Sequence, residues 1–166
     1  MEATKVITLI LADDHGIVRE GIAAFCDNRQ DLKVIGQCSD GEEAVAMILT
    51  HKPDFAVLDL DMPRLSGLDV IRKVRQAKSE TRLLVLSISR DESVIREVFR
   101  SGGDGYLLKD GPARHLFEAI NYVVDGGQYL TPLIRRENID NKREETNALA
   151  ALSKREFEVF SFLVMV

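Results

Sequence analysis

The chain of 166 residues has 45% hydrophobic and 30% charged side chains, a balance typical of a soluble globular domain with an appendage and unlike that of a disordered chain. The 22 Lys and Arg residues against 27 Asp and Glu residues give a net charge of −5 at pH 7, which disfavours unaided binding to nucleic acid. No apolar stretch approaches the roughly 18 residues of a membrane span and no secretory signal begins the chain, so we expect no membrane partner and a cytoplasmic location.

Five apolar runs rich in Val, Ile and Leu predict strands, over residues 6–12, 32–36, 55–60, 83–88 and 105–108. Between these runs, apolar residues at helical spacing predict four helices. A fifth helix is predicted to start at Pro112 and to stop at Gly126 and Gly127. Strands without polar alternation, joined by helical crossovers, are typical of a parallel sheet covered on both faces. We therefore predict an α/β fold with a five-stranded, parallel, doubly wound sheet over residues 1–127.

The chain changes character after residue 127. Residues 135–148 are polar and almost free of large apolar groups, which predicts a linker over residues 128–151. Residues 153–156, Ser-Lys-Arg-Glu, have the form of a capping box, so we predict a helix within residues 152–166 that begins at about residue 153. This apolar helix is predicted to be the start of an incomplete α-helical domain. The alternative is a terminal helix that packs on the first domain or on a second copy of the chain.

Polar side chains follow four strands of the predicted sheet, each at the carboxyl end: Asp13 and Asp14, Asp59 and Asp61, Ser87 and Ser89, and Lys109 with Asp110. Parallel open sheets bind ligands at this edge. Carboxylates a few ångströms apart repel and raise each other's pKa, and a hard cation removes the conflict. Oxygen ligands favour Mg²⁺, which also takes a phosphate oxygen, so the lysine and a serine are expected to hold that phosphate.

Each of these residues also has a simpler explanation. Asp13 and Asp14 can cap the following helix, and Asp59 can be the first solvated position after a strand. Ser87 can be a small packing residue and Lys109 a solvated surface charge. Their joint placement at one edge of the sheet favours a shared site over four independent coincidences.

These residues together resemble the signature of receiver domains in two-component response regulators: Asp13-Asp14, then Asp59-Leu-Asp-Met-Pro-Arg-Leu-Ser-Gly67, Ser87, and Tyr106-Leu-Leu-Lys109. The resemblance covers about residues 5–127 with every element in order, so it is highly specific. It implies a flavodoxin-like fold with strand order 2-1-3-4-5. It also implies that a sensor histidine kinase is the phosphoryl donor and that Mg²⁺ is the cofactor.

The resemblance assigns a role to each site residue. Asp59 is the expected phosphoacceptor, and the expected Mg²⁺ ligands are Asp13, Asp14, Asp59 and the main-chain carbonyl of Asp61. Lys109 is expected to pair with the phosphoryl group, and Ser87 to reorient and hydrogen-bond it. Tyr106 resembles the aromatic switch residue, with an ordinary half-buried strand tyrosine as the alternative.

Two residues depart from the usual receiver pattern. Ile88 follows Ser87 where receivers more often carry a small side chain, so we expect it to restrict access to Asp59 and to slow self-dephosphorylation. Asp61 is an extra carboxylate that is expected to affect either the attacking water or the metal affinity. The three histidines show no metal-ligand spacing and are interpreted as surface or cap residues: His15, His51 and His115.

The region after the fifth helix resembles the NarL/FixJ subfamily, in which a receiver precedes a LuxR-type helix-turn-helix. The similarity lies in Gly126-Gly-Gln-Tyr-Leu-Thr131, the polar linker, and Leu152-Ser-Lys-Arg-Glu-Phe-Glu-Val159. Only the first helix of that module is present, so DNA contact is expected only through the missing C-terminal region. The resemblance implies transcriptional control and a homodimer on phosphorylation.

Two other functions were weighed against this one. Asp59-Leu-Asp61 resembles the DxD motif of haloacid-dehalogenase-type phosphatases, but the chain order of the acidic pair argues against an aspartyl-phosphate phosphatase. A phosphorylation-independent interaction module is disfavoured because the whole set of carboxylates, hydroxyl and lysine is intact. We therefore expect a phosphoacceptor and not a turnover enzyme.

Overall fold

Strands and helices alternate in the computed structural model, which describes residues 3–132 and 134. The strands are β1 (Ile7–Ala12), β2 (Leu32–Cys38), β3 (Phe55–Asp59), β4 (Arg82–Ser87), β5 (Gly105–Leu108) and β6 (Tyr129–Leu130). The helices are α1 (Gly16–Asp27), α2 (Gly41–His51), α3 (Gly67–Gln76), α4 (Glu92–Arg100) and α5 (Arg114–Val124). The predicted α/β class is confirmed, and the first five strands lie close to their predicted bounds.

All strand pairs of the sheet are parallel, in the order β2-β1-β3-β4-β5-β6. The implied order 2-1-3-4-5 is confirmed, but the prediction of five strands is wrong by one. Strand β6 follows α5 and pairs with β5, with Tyr129 opposite Gly105 and Leu130 opposite Tyr106. Its two residues are too few to form a recognisable apolar run. The edge of β5 is therefore covered by the chain that leaves α5.

Helices pack on both faces of the sheet and give two separate apolar layers. One layer joins β-strand residues such as Ile10 to side chains of α2, α3 and α4. The other joins residues such as Leu9 and Leu11 to side chains of α1 and α5. Neighbouring residues of β1 thus point into opposite layers, as the two-residue period of a strand requires. This explains the continuous apolar runs, since both sides of each central strand are buried.

The residues after α5 are held against β5 by hydrogen bonds. Thr131 is fully buried, and its backbone N–H donates to the carbonyl of Tyr106 at 3.1 Å. The hydroxyl of Thr131 accepts from the backbone N–H of Leu108 at 3.2 Å. Ile134 is also buried, within the layer that contains α4. These contacts extend the sheet by a strand that lies inside the stretch interpreted from sequence as a linker.

The fifth helix begins at Arg114, two positions after the predicted Pro112. Pro112 lies in a turn, where its carbonyl accepts a hydrogen bond from the N–H of His115 at 3.0 Å. Of the linker predicted over residues 128–151, residues 135–151 lie outside the described residues, as does the helix predicted within residues 152–166. Within the described part of the chain, every helix is too short or too polar to cross a lipid bilayer.

Candidate functional site

The acidic pair after β1 is held by backbone contacts on both sides. The N–H of Asp13 donates to the carbonyl of Cys38 at 3.1 Å, which continues the pairing with β2. A side-chain oxygen of Asp13 accepts from the N–H of His15 at 2.8 Å, and the guanidinium of Arg19 donates to the carbonyl of Asp13. Asp13 is buried while Asp14 is exposed, so one carboxylate of the pair faces inward and the other lies at the rim.

Strand register brings two further side chains to the same edge. Asp59 is the last residue of β3 and is 3% exposed. It lies opposite Leu86 of β4, so Ser87 comes one position beyond it. Ser87 in turn accepts a backbone hydrogen bond from Lys109 at 2.9 Å. The strand-end prediction is therefore correct in placing these residues at one edge of the sheet.

The ammonium group of Lys109 lies between two buried carboxylates. Its Nζ is 3.0 Å from Asp13 Oδ2 and 3.1 Å from Asp59 Oδ2, and the lysine side chain is only 13% exposed. Apart from this ion pair, neither Oδ2 atom has a hydrogen-bond partner among the described residues. Lys109 is thus not a solvated surface charge, and each Oδ2 keeps a further lone pair besides the one that faces the ammonium.

Burial and charge set different proton affinities for these three groups. Burial raises the pKa of Asp59, and the neighbouring Asp13 carboxylate adds to the increase against the effect of Lys109. Burial also acts to raise the pKa of Asp13, but the N–H of His15 and the ammonium of Lys109 outweigh it and hold that pKa below its usual range. The pKa of Lys109 is raised because its two carboxylate partners outweigh burial.

The acidic pocket is compatible with a divalent cation. One ligand atom from each of Asp13, Asp14, His15 and Asp59 can be chosen so that all four lie within 4.8 Å of one another. The interpretation of the histidines as surface or cap residues missed this arrangement. His15 makes no side-chain capping bond to α1, and its Nδ1 lies 3.0 Å from Asp13 Oδ1 instead. His15 is exposed, as the surface interpretation requires, but His115 is buried, so that interpretation is wrong for His115.

Ser87 and Tyr106 meet at the loop that follows β4. Ser87 is buried, and its Oγ accepts from the N–H of Ser89 at 3.1 Å. Tyr106 is fully buried, and its hydroxyl donates to the carbonyl of the same Ser89 at 2.7 Å. The tyrosine is therefore not the half-buried residue of the alternative interpretation. Burial also raises the pKa of the Tyr106 hydroxyl.

The remaining predicted residues lie around the rim. The side chain of Asp61 is exposed, while its N–H approaches Asp59 Oδ1 at 3.3 Å. Ile88 is 72% exposed, in the loop after β4. Asp110 pairs with Arg90 at 3.2 Å and is absent from the group of ligand atoms formed by Asp13, Asp14, His15 and Asp59. The structure therefore does not bring Asp110 into the acidic pocket.

Replacement of Asp59 by Asn is expected to raise the free energy of unfolding of the metal-free protein at neutral pH by about 1–2 kcal/mol. Folding raises the pKa of Asp59, so its charged form destabilises the fold. This penalty is absent below the unfolded pKa and is fully present above the folded pKa, so the gain should grow as pH rises through that interval. Urea denaturation in EDTA from about pH 3.5 to about pH 7 measures it.

The matched control is Asp69→Asn, which removes the same charge from an exposed position in the first turn of α3. It should show little gain at any of these pH values. A gain at Asp59 that does not change with pH would contradict the explanation from burial.

A doubly wound parallel sheet that gathers an aspartate pair, a strand-end aspartate and a lysine at its carboxyl edge is the arrangement of a receiver. The comparison with protein families agrees, because residues 9–121 match the response regulator receiver domain. The chain belongs to the response regulator receiver family.

Relatives and solved structures of this family cover most of the chain. It is 34% identical to the transcriptional regulatory protein DegU of Brevibacillus brevis over 141 residues, which are 85% of this chain and 60% of that relative. It is 33% identical to the oxygen regulatory protein NreC of Staphylococcus haemolyticus over 164 residues, which are 93% of this chain and 76% of that relative. A LuxR-family two-component response regulator from Aurantimonas sp. SI85-9A1 superposes with a TM-score of 0.77 at 28% identity, over 83% of this chain and 99% of that structure.

Proposed function

We propose that this chain accepts a phosphoryl group on Asp59 from a sensor histidine kinase and changes conformation and association state to control transcription. The observation that carries the proposal is the position of Asp59. Its carboxylate ends a central strand, is almost fully buried, and has Oδ2 at 3.1 Å from the ammonium of Lys109.

In this reaction the protein contributes mainly the positioning of the reacting groups and the stabilisation of charge. A carboxylate is a weak nucleophile, but phosphoryl transfer passes through a loose transition state, so positioning and charge stabilisation dominate. The P–N bond of a phosphohistidine breaks as an oxygen of Asp59 bonds to phosphorus, and the departing imidazole nitrogen keeps the electron pair. Lys109 offers its positive charge to the phosphoryl oxygens, since it already lies beside the accepting carboxylate.

The proposed cofactor is Mg²⁺, held by Asp13, Asp14, Asp59 and the main-chain carbonyl of Asp61. The donor set fits, because carboxylate and carbonyl oxygens are the ligands that this hard cation prefers. Apart from Lys109, the Oδ2 atoms of Asp13 and Asp59 have no partner among the described residues, so each has a further lone pair for a cation. Bound there, the cation supplies neutralisation of the charge on the transferred phosphoryl group.

Ser87, Ser89 and Tyr106 form the proposed switch. Ser87 Oγ accepts from the N–H of Ser89, so the proposed rotation of Ser87 toward a phosphoryl group breaks this contact and frees Ser89. The carbonyl of Ser89 is the acceptor of the Tyr106 hydroxyl, so displacement of Ser89 also releases the tyrosine. An aspartyl phosphate carries a charge of roughly −1.5 to −2 in place of the −1 of the carboxylate, and its phosphoryl oxygens are strong acceptors, so the hydroxyl and the lysine have a reason to move.

The proposed output is transcriptional control through a LuxR-type DNA-binding domain, with a homodimer formed on phosphorylation. Two names support it, since DegU is called a transcriptional regulatory protein and the Aurantimonas structure a LuxR-family regulator. The proposed location is the cytoplasm, where a histidine kinase presents its phosphohistidine. DNA contact is assigned to the region beyond the first helix of that domain, and the chain takes part in its own phosphorylation without acting as a turnover enzyme.

The decisive experiment is intact mass spectrometry after incubation with acetyl phosphate and Mg²⁺, with light scattering on the same samples. We expect one phosphoryl adduct that hydroxylamine removes, as an acyl phosphate requires, and a shift from monomer to dimer. If neither acetyl phosphate nor a panel of phosphorylated histidine kinases gives an adduct, the phosphoacceptor function is wrong. Partner binding that needs no phosphorylation would then identify an interaction module.

Replacement of Ile88 by Ala is expected to speed self-dephosphorylation several-fold. Ile88 is 72% exposed beside the buried Ser87, so its side chain can shield the entrance to Asp59 without being part of the core. The measurement is the decay of the phosphoryl adduct after removal of the donor, in the parent and in the variant. Equal decay rates would refute a role for Ile88 in access.

A further inference from the structure

His15 is placed as a potential ligand and not as a helix cap. It is the residue before α1, yet its side chain makes no capping hydrogen bond to the helix. The imidazole turns instead toward the acidic pocket, where Nδ1 lies 3.0 Å from Asp13 Oδ1 and 3.1 Å from Asp14 Oδ1. Nδ1 is also 3.7 Å from Asp59 Oδ2. One nitrogen therefore faces all three carboxylates.

The spacing of these atoms suits a single cation. Two ligand atoms at right angles around a small divalent cation, each about 2.1 Å from it, are about 3.0 Å apart. The separations from His15 Nδ1 to Asp13 and Asp14 match that value, and the four candidate ligand atoms all lie within 4.8 Å of one another. Asp13 and Asp59 are buried, and apart from Lys109 neither Oδ2 has a partner among the described residues, so each has a further lone pair for a cation.

The imidazole of His15 is exposed enough to move, and it lies close to the ammonium of Lys109. The side chain of His15 is 61% exposed, so its ring can adjust toward a cation without disturbing the core. Its nearest cationic neighbour is Lys109, with Nζ 3.4 Å from Nδ1. Lys109 already pairs with Asp13 and Asp59, so the imidazole and the ammonium share the same two carboxylates.

We propose that His15 supplies an imidazole ligand to this pocket, so that it binds a divalent first-row transition metal more tightly than Mg²⁺. Magnesium prefers oxygen ligands, whereas imidazole nitrogen suits the later transition metals. His15 should therefore add affinity for a cation such as Co²⁺ and little for Mg²⁺. The inference rests on the proposed function, because it places the metal in the pocket of the proposed phosphoacceptor.

The test is isothermal titration calorimetry of the unphosphorylated full chain with CoCl₂ and with MgCl₂, together with the visible spectrum of the Co²⁺ complex. We expect Co²⁺ to bind at least about tenfold more tightly than Mg²⁺. His15→Asn should remove most of that excess, alter the Co²⁺ spectrum, and leave Mg²⁺ affinity within about twofold. Asparagine is a favoured N-cap residue, so this variant keeps the start of α1.

Two comparisons make the result specific to His15. His51→Ala removes an exposed histidine in the last turn of α2 and should change neither affinity. Asp59→Asn should weaken both metals, which places them in the acidic pocket. The inference is overturned if His15→Asn weakens both metals equally or neither, since His15 would then act only as a hydrogen-bonding neighbour. Absence of Mg²⁺ binding in the parent protein would instead count against the proposed function.

Discussion

Asp59→Asn is expected to abolish the phosphoryl adduct, with no modified protein detectable under conditions that modify most of the parent. The amide is nearly the same size as the carboxylate, but its oxygen is a far poorer nucleophile and carries no charge to pair with Lys109. The substitution removes the ion pair between Asp59 Oδ2 and Lys109 Nζ, which are 3.1 Å apart. Intact mass after acetyl phosphate and Mg²⁺ gives the modified fraction directly.

The control for charge and shape is again Asp69→Asn, on the exposed side of α3. It should accept the phosphoryl group as the parent does. If Asp59→Asn still forms an adduct of the same yield and the same sensitivity to hydroxylamine, another carboxylate is the acceptor. Peptide mapping of the modified protein would then identify that residue, with Asp61 and Asp14 as the first alternatives because both lie beside Asp59 at this edge of the sheet.

Gly67→Ala is expected to lower the free energy of unfolding by about 2–3 kcal/mol, although alanine favours helices more than glycine does. Gly67 is the first residue of α3, and a Cβ there would lie 2.3 Å from the carbonyl oxygen of Asp59 and 3.0 Å from Cα of Leu60. Both neighbours are backbone atoms, so the clash can be relieved only by moving the end of β3. Urea denaturation gives the loss of stability, and slower adduct formation should accompany it.

The matched substitution is Gly21→Ala, on the exposed face of α1, where an added Cβ would meet nothing within 4 Å. Here helix propensity acts alone, so we expect a gain of up to about 1 kcal/mol. The two alanine variants should therefore change stability in opposite directions. A Gly67→Ala protein as stable as the parent would show that α3 does not fix the backbone of Asp59.

The sequence allowed the sheet and the centre of the site to be predicted because both depend on repeating rules. Buried parallel strands are apolar throughout, and the carboxyl ends of such strands share one edge of the sheet, so the sequence alone predicts that Asp13, Asp59 and Lys109 lie together. Strand β6 could not be predicted because a strand of two residues is too short to show a periodic pattern of apolar side chains. It is defined by its pairing with β5 and by the hydrogen bond from the N–H of Leu108 to the hydroxyl of Thr131, and both contacts join residues that are far apart in the sequence.

Side-chain directions at the site were harder to predict than positions. The approach of His15 to three carboxylates depends on the rotamer of one exposed ring, which the sequence does not determine. Metal-binding motifs are recognised by the spacing between two or more histidines or cysteines, and His15 has no such partner nearby in the sequence. The sequence signal for this placement is the adjacency of His15 to Asp13 and Asp14. The complete burial of Tyr106 likewise depends on β4 and β6, which flank its strand, and on the loop after β4, where the carbonyl of Ser89 accepts from its hydroxyl.

The anchoring of Thr131 to β5 sets the point from which any following segment is tethered. A segment attached to a fixed point explores a limited volume, and its effective concentration is highest close to that point. Here the point lies on the strand that carries Tyr106 and leads to Lys109. Weak contacts between a following segment and this side of the receiver are thus favoured over equally weak contacts at β2, on the opposite edge of the sheet.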